Sequence, residues 1–99
     1  MYKKEIIMPK ASARHILVDN EAKCMELKKE IENGADFADI AAANSLCPSG
    51  KQGGALGEFS PGQMVKEFDT VVFSDPVGVV HGPVKTQFGY HLIEITARD

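Results

Sequence analysis

Two segments near opposite ends of the chain alternate as half-buried β-strands do, and each sets an imidazole on its apolar face. In "SARHILV" (12–18) His15 shares a face with Leu17. In "YHLIEIT" (90–96) His91 shares one with Ile93 and Ile95. Residues two apart on a strand point the same way, so a slip of one residue would turn either histidine to the opposite face. If the two strands belong to one small sheet, what lies between them must cover its apolar face.

The intervening sequence supplies helices. Asp19 and Asn20 end the first strand, and Asp19 is a plausible N-cap for a helix running to about Asn33. Within it Cys24, Leu27 and Ile31 recur at three- and four-residue steps, while Lys23, Glu26, Lys29 and Glu30 point elsewhere, the signature of an amphipathic helix. Gly34 stops that helix, and Asp36 caps a second over 37–44 with Phe37, Ile40 and Ala41 inward. "NSLCPSGKQGG" (44–54) is a long loop by composition, and loops of this length are commonly functional. "ALGEF" (55–59) reads as a brief strand and "SPGQM" (60–64) as a tight turn, with one turn of helix as the alternative. "VKEFDTVVF" (65–73) returns to helical spacing. "VVHGPV" and "YHLIEIT" then form a hairpin across the five-residue connection "KTQFG". The order is strand, two or three helices, strand, helix, strand, strand: a small sheet with helices beside it.

Ninety-nine residues make one domain, and 43% hydrophobic content suffices for one core. A net charge of −3, with basic residues scattered among acids, argues against nucleic acid as a partner. The apolar run at the N-terminus stops at Pro9, too short for a signal-peptide core, and no stretch approaches a membrane span. A cytoplasmic monomer with no membrane partner is the expectation, with residues 1–10 a flexible extension and 11–99 the domain. Cys24 on a helix stripe and Cys47 in a loop read as free thiols.

Two imidazoles at matching strand positions can meet if the strands are neighbours, each fixing the other's tautomer through a shared nitrogen. Either histidine alone reads as structural. Cys47 beside Pro48 invites a nucleophile, yet no orienting carboxylate stands at a telling spacing. Cys24, Cys47, His15, His81 and His91 lack metal-ligand spacing, so no metal is expected; His81, before Gly82 and Pro83, reads as a surface turn residue. "GKQGGALG" lacks the arrangement of a phosphate cradle. Leu56, Phe59, Met64, Phe68, Phe73 and Phe88 form an apolar set that pattern assigns to the core, with a binding surface as the alternative; Met64 and Phe68, four apart, would share a helix face.

Taken together, "HILV" (15–18), "CPSGKQGGALGEFSPGQMVKEFDTVVF" (47–73) and "GPVKTQFGYHLI" (82–93) resemble the parvulin family of peptidyl-prolyl cis/trans isomerases, most nearly the small single-domain bacterial members. The likeness runs over about residues 11–98. It implies an α+β fold, a four-stranded antiparallel sheet flanked by helices in the order β-α-α-α-β-α-β-β. It also implies that His15 and His91 are the paired central histidines, that Thr86 is the hydroxyl linked to them, and that Cys47 holds a position where parvulins carry cysteine or aspartate. Leu56, Met64 and Phe68 match the pocket that receives the proline ring, with Phe88 at its rim. No cofactor is implied, and the partners are proline-containing peptides and unfolded proteins.

One departure is informative. Phosphoserine/threonine-proline-specific parvulins carry an Arg/Lys cluster after the first strand, where this chain reads "DNEAK". Asp19 and Glu21 would repel a phosphate dianion, which needs cationic donors, so no phosphorylation requirement is expected. Leu46 and Phe88 point to apolar residues before proline. The rival expectation is a proline-directed binding module with little turnover.

Overall fold

The computed structural model describes residues 10–99, so the extension read over 1–10 lies, apart from Lys10, outside the described residues. The elements are β1 (Ala11–Val18), α1 (Glu21–Glu32), α2 (Phe37–Asn44), a short 3-10 helix (Pro48–Gln52), β2 (Ala55–Phe59), α3 (Lys66–Ser74), β3 (Val80–Thr86) and β4 (Gly89–Arg98). All strand pairs are antiparallel, in the spatial order β2-β1-β4-β3. The strands from the two chain ends are thus the central pair.

Alternation decides what each sheet face buries. Ile16, Val18 and Leu92 pack against Cys24 and Leu27 of α1 and Phe37 and Ala41 of α2. On the opposite face Ala11, Ala13, Ile93 and Ile95 pack against Phe59 of β2 and Phe68 and Val72 of α3. Ile16, Leu92, Ile93 and Ile95 are wholly buried, each contributing ~1.5–3 kcal/mol of transfer free energy. α3 covers only part of its face, leaving the end with His15, Leu17 and His91 free to floor a cavity.

Four local features differ from the sequence reading. The N-cap of α1 is Asn20, whose side chain accepts from the Lys23 N–H at 2.9 Å; Asp19 stands one residue too early, because Glu21 is the first helical residue. Asp36 caps α2 as expected, accepting from Asp39 N–H at 3.1 Å. The segment 44–54 is not wholly loop. Pro48 presets φ for the first position of the 3-10 helix, and Gly53, at φ +71°, ends it in the left-handed region. The hairpin connection is two residues, Gln87 and Phe88, because Lys85 and Thr86 pair with Tyr90 and Gly89. His81 is not in a turn but within β3, opposite Ile93, with its ring on the Pro76 carbonyl at 2.8 Å.

Candidate active site

Register brings the two histidines together. His15 lies opposite Ile93 and Leu17 opposite His91, so the imidazoles are diagonal neighbours on one face of the central strand pair. Their Nδ1 atoms are 3.0 Å apart, with ring centroids at 5.2 Å and planes 16° from parallel. Thr86 occupies the equivalent diagonal on β3, and its Oγ1 lies 2.8 Å from His91 Nε2. The Phe88 N–H donates to the same hydroxyl oxygen at 3.1 Å.

Proton accounting sets the direction of this chain. Only one of two facing Nδ1 atoms can carry a hydrogen when both rings are neutral. If Thr86 O–H donates to His91 Nε2, then His91 Nδ1–H donates to His15 Nδ1, and the His15 proton rests on Nε2. That leaves one orphan, His15 Nε2, which is buried without a partner. The reverse direction would also leave the Thr86 hydroxyl hydrogen without an acceptor among the described bonds, so the first arrangement is preferred. A further proton on His15 would reverse the chain, with His15 Nδ1–H donating to His91 Nδ1 and His91 Nε2–H to Thr86 Oγ1, and would leave a charge in a buried place. Burial, and next the charge of His91, lower the His15 pKa from 6.5 to about 4; burial lowers that of His91. Both rings are therefore neutral at pH 7.

Above them opens a cavity of about 390 Å³, within the ~300–1,000 Å³ typical of small-ligand pockets. Its walls come from four places: Leu46, Cys47 and Pro48 of the segment that runs from α2 into the 3-10 helix, Leu56 of β2, Met64 and Val65 ahead of α3, and Phe68 of α3 itself. Phe68 stands edge-on to both imidazoles, at 5.6 and 5.8 Å between centroids. Phe88 and Leu46, 60% and 62% exposed, stand at the mouth.

The loop carrying Cys47 continues the pairing of β1 where β2 ends. Leu46 N–H donates to the Leu17 carbonyl at 2.8 Å, Leu17 N–H to Ser45 Oγ at 3.1 Å, and His15 N–H to the Gly54 carbonyl at 2.9 Å. Gly54 sits at φ +85°, and a Cβ there would collide with the His15 carbonyl oxygen. The thiol of Cys47 accepts from Ser49 Oγ at 3.3 Å. Among the described residues no base holds it as a nucleophile's partner would. Both cysteines are free.

Of the eight site residues read from sequence, seven line this cavity: His15, Cys47, Leu56, Met64, Phe68, Phe88 and His91. Thr86 sits behind His91 and acts on the ring rather than on the space. Met64 precedes α3 instead of sharing its face with Phe68, since Val65 is the N-cap. Ser45, Pro48 and Val65 were not singled out. Parity with His15 marks Leu17, but the others sit where no periodicity speaks. Among the described residues no three His, Cys, Asp or Glu side chains converge as a metal site requires, and no helix is long and apolar enough to cross a membrane.

A four-stranded antiparallel sheet with a hydrogen-bonded histidine pair beneath an apolar cavity defines a parvulin-type domain. The chain belongs to the Rotamase family, the PPIC-type PPIASE domain, whose profile matches residues 6–97. It is 46% identical over 99 residues to the foldase protein PrsA of Exiguobacterium sibiricum, covering 98% of this chain and 32% of that protein. The crystal structure of the peptidylprolyl isomerase PrsA from Bacillus anthracis superposes with a TM-score of 0.90 at 36% identity, over 93% of this chain and 43% of that one. NmPin, the parvuline of Nitrosopumilus maritimus, gives 0.80 at 35% identity, over 89% of this chain and 96% of that one. The chain thus spans about a third of the length of the curated foldase relatives it matches.

Proposed function

We propose that this domain accelerates cis/trans rotation about X-Pro bonds in extended or unfolded polypeptides, without covalent chemistry. The observation that carries the reading is the apolar cavity floored by two neutral, mutually bonded histidines. Amide resonance sets a rotation barrier of ~18–20 kcal/mol and rests on charge separation between oxygen and nitrogen. A dry pocket disfavours the separated, planar form relative to the twisted amide, so binding the twisted state more tightly is sufficient for catalysis.

In this reading Leu56, Met64 and Phe68 grip the proline ring, and Phe88 limits water at the mouth. His15, His91 and Thr86 shape and polarise the floor without passing a proton to substrate. Cys47, half-exposed on the wall, tunes polarity near the substrate carbonyl. The site is assembled from one chain, so a monomer suffices. Relatives named as foldases support unfolded chains as the substrate class. The apolar mouth residues Leu46 and Phe88 support a preference for apolar side chains before proline. The acidic stretch Asp19–Glu21 argues against phosphate recognition.

Exchange NMR on peptides containing Leu-Pro, Glu-Pro and phosphoSer-Pro tests this directly. Acceleration is expected for all three, greatest for Leu-Pro, with phosphoSer-Pro no better than Glu-Pro. Binding without acceleration would establish the rival reading, a proline-directed binding module. A strong phosphoSer-Pro preference would overturn the reading of the Asp19–Glu21 loop.

A further inference from the structure

Among the described residues, the turn that carries Met64 into the cavity is hydrogen-bonded to the rest of the molecule through one side chain. Within the turn, Ser60 N–H donates to Gln63 Oε1 at 2.6 Å, and Gln63 N–H to the Ser60 carbonyl at 3.3 Å. Both bonds close the turn on itself. Outward, among the described residues, residues 60–64 make one hydrogen bond, from Gly62 N–H to Asp69 Oδ2 of α3 at 3.2 Å. Gly62 sits at φ +90° with open space around it, so glycine is there for its backbone and not for close packing.

Asp69 follows Phe68 directly, so its carboxylate ties the Met64 wall of the cavity to the helix that supplies the Phe68 wall. Its other oxygen, Oδ1, is buried without a donor. An unpartnered buried acceptor is unfavourable, and the charge-assisted bond made by Oδ2 offsets it. A favourable interaction with the N-terminal end of α3 would also suit an acidic residue here, but that role depends on charge and not on an acceptor atom.

We propose that Asp69 is a positioning residue for substrate binding: through Gly62 it sets the distance between Met64 and Phe68, and hence the fit of the proline ring. The proposal rests on the reading of this cavity as the proline site.

The test uses the chain labelled with ¹³C at its methionine methyl groups, with Asp69→Ala and Asp69→Asn compared to the parent. Asn keeps an acceptor for Gly62 N–H but removes the charge. In Asp69→Ala the Met64 methyl signal is expected to shift and broaden while that of Met25, exposed on α1, stays in place. KM for a Leu-Pro peptide is expected to rise about fivefold with kcat nearly unchanged, the factor that corresponds to the typical net contribution of one hydrogen bond. Asp69→Asn is expected to restore both readouts to near the parent values. An unmoved Met64 methyl in Asp69→Ala would overturn the proposal whether or not the chain is active. So would an Asn variant that behaves like Ala, which would assign the residue to the helix end. Inactivity of the parent chain would overturn the isomerase reading instead, and the methyl signal would still decide whether Asp69 holds the turn.

Discussion

Replacing Phe68 by alanine is expected to cost about 3–5 kcal/mol of stability and to abolish most of the acceleration of X-Pro rotation. Phe68 is 3% exposed and stands between two structures at once. On one side its ring meets Phe59 at 6.1 Å and packs with Val72, Ile93 and Ile95; on the other it walls the cavity against His15 and His91. Alanine would leave a void that the sheet cannot close. Against a total stability of ~5–15 kcal/mol for a domain of this kind, the thermal midpoint should fall by roughly 15–30 °C. Because such a variant can lose activity by unfolding alone, Phe68→Leu separates the two roles. Leucine fills much of the volume at a cost of under about 1.5 kcal/mol, yet removes the flat edge facing the imidazoles. Its melt should stay within several degrees of the parent while kcat/KM falls about tenfold, equivalent to 1.36 kcal/mol of transition-state stabilisation. A Phe68→Leu chain that melts and turns over like the parent would show that the aromatic wall is not part of the site.

Acidification is expected to destabilise the fold well before carboxylates titrate. In the unfolded chain a histidine takes up its proton near pH 6.5, whereas folded His15 resists protonation down to about 4. The stability that neutral His15 confers is therefore complete above pH 6.5 and is lost as pH falls from 6.5 towards 4. Over that whole interval the loss approaches about 3 kcal/mol, and between pH 7.5 and 5 it is about 2 kcal/mol. His91 is shifted the same way by burial and adds to the loss. Urea midpoints at pH 7.5, 6 and 5 measure this in a His81→Gln background, which removes the third histidine beside Asp75. Carboxylates in an unfolded chain take up protons nearer pH 4, so the window is chosen for the buried pair. Activity at 25 °C should persist down to about pH 5, because the folded fraction still holds His15 neutral there. Stability independent of pH across this window would contradict a buried neutral pair.

What could be read in advance follows from where the physics is local. The faces of β1 and β4 were legible because one side of each strand is buried, and period-two alternation records burial directly. The helices were legible for the same reason, through Cys24 and Leu27 in α1 and Phe37 and Ala41 in α2. The meeting of His15 and His91 was legible only as a possibility, since it depends on a register between strands at opposite ends of the chain. Composition misled where polar residues have partners that no window sees. Thr86 reads as loop, yet it is a buried strand residue because His91 Nε2 takes its hydroxyl. The Ser-, Gly- and Pro-rich stretch hides a 3-10 helix whose bonds, such as Gly50 N–H to the Cys47 carbonyl at 2.9 Å, are too local to leave a periodicity. Met64 matches helical spacing to Phe68 by coincidence: the turn held by Asp69 puts it on the same cavity by another route. In each case the missing information is tertiary.

The most direct test of non-covalent rotation is the exchange rate of a Leu-Pro peptide measured by NMR with the Cys47→Ser chain. Serine keeps a small polar group on the cavity wall but is far less nucleophilic than a thiol. The expected result is a cis/trans exchange rate well above that of the free peptide and within about tenfold of the parent chain, a change of no more than 1.36 kcal/mol in the barrier. Exchange no faster than the free peptide, from a Cys47→Ser chain whose melt matches the parent, would contradict it and return the thiol to the centre of the mechanism.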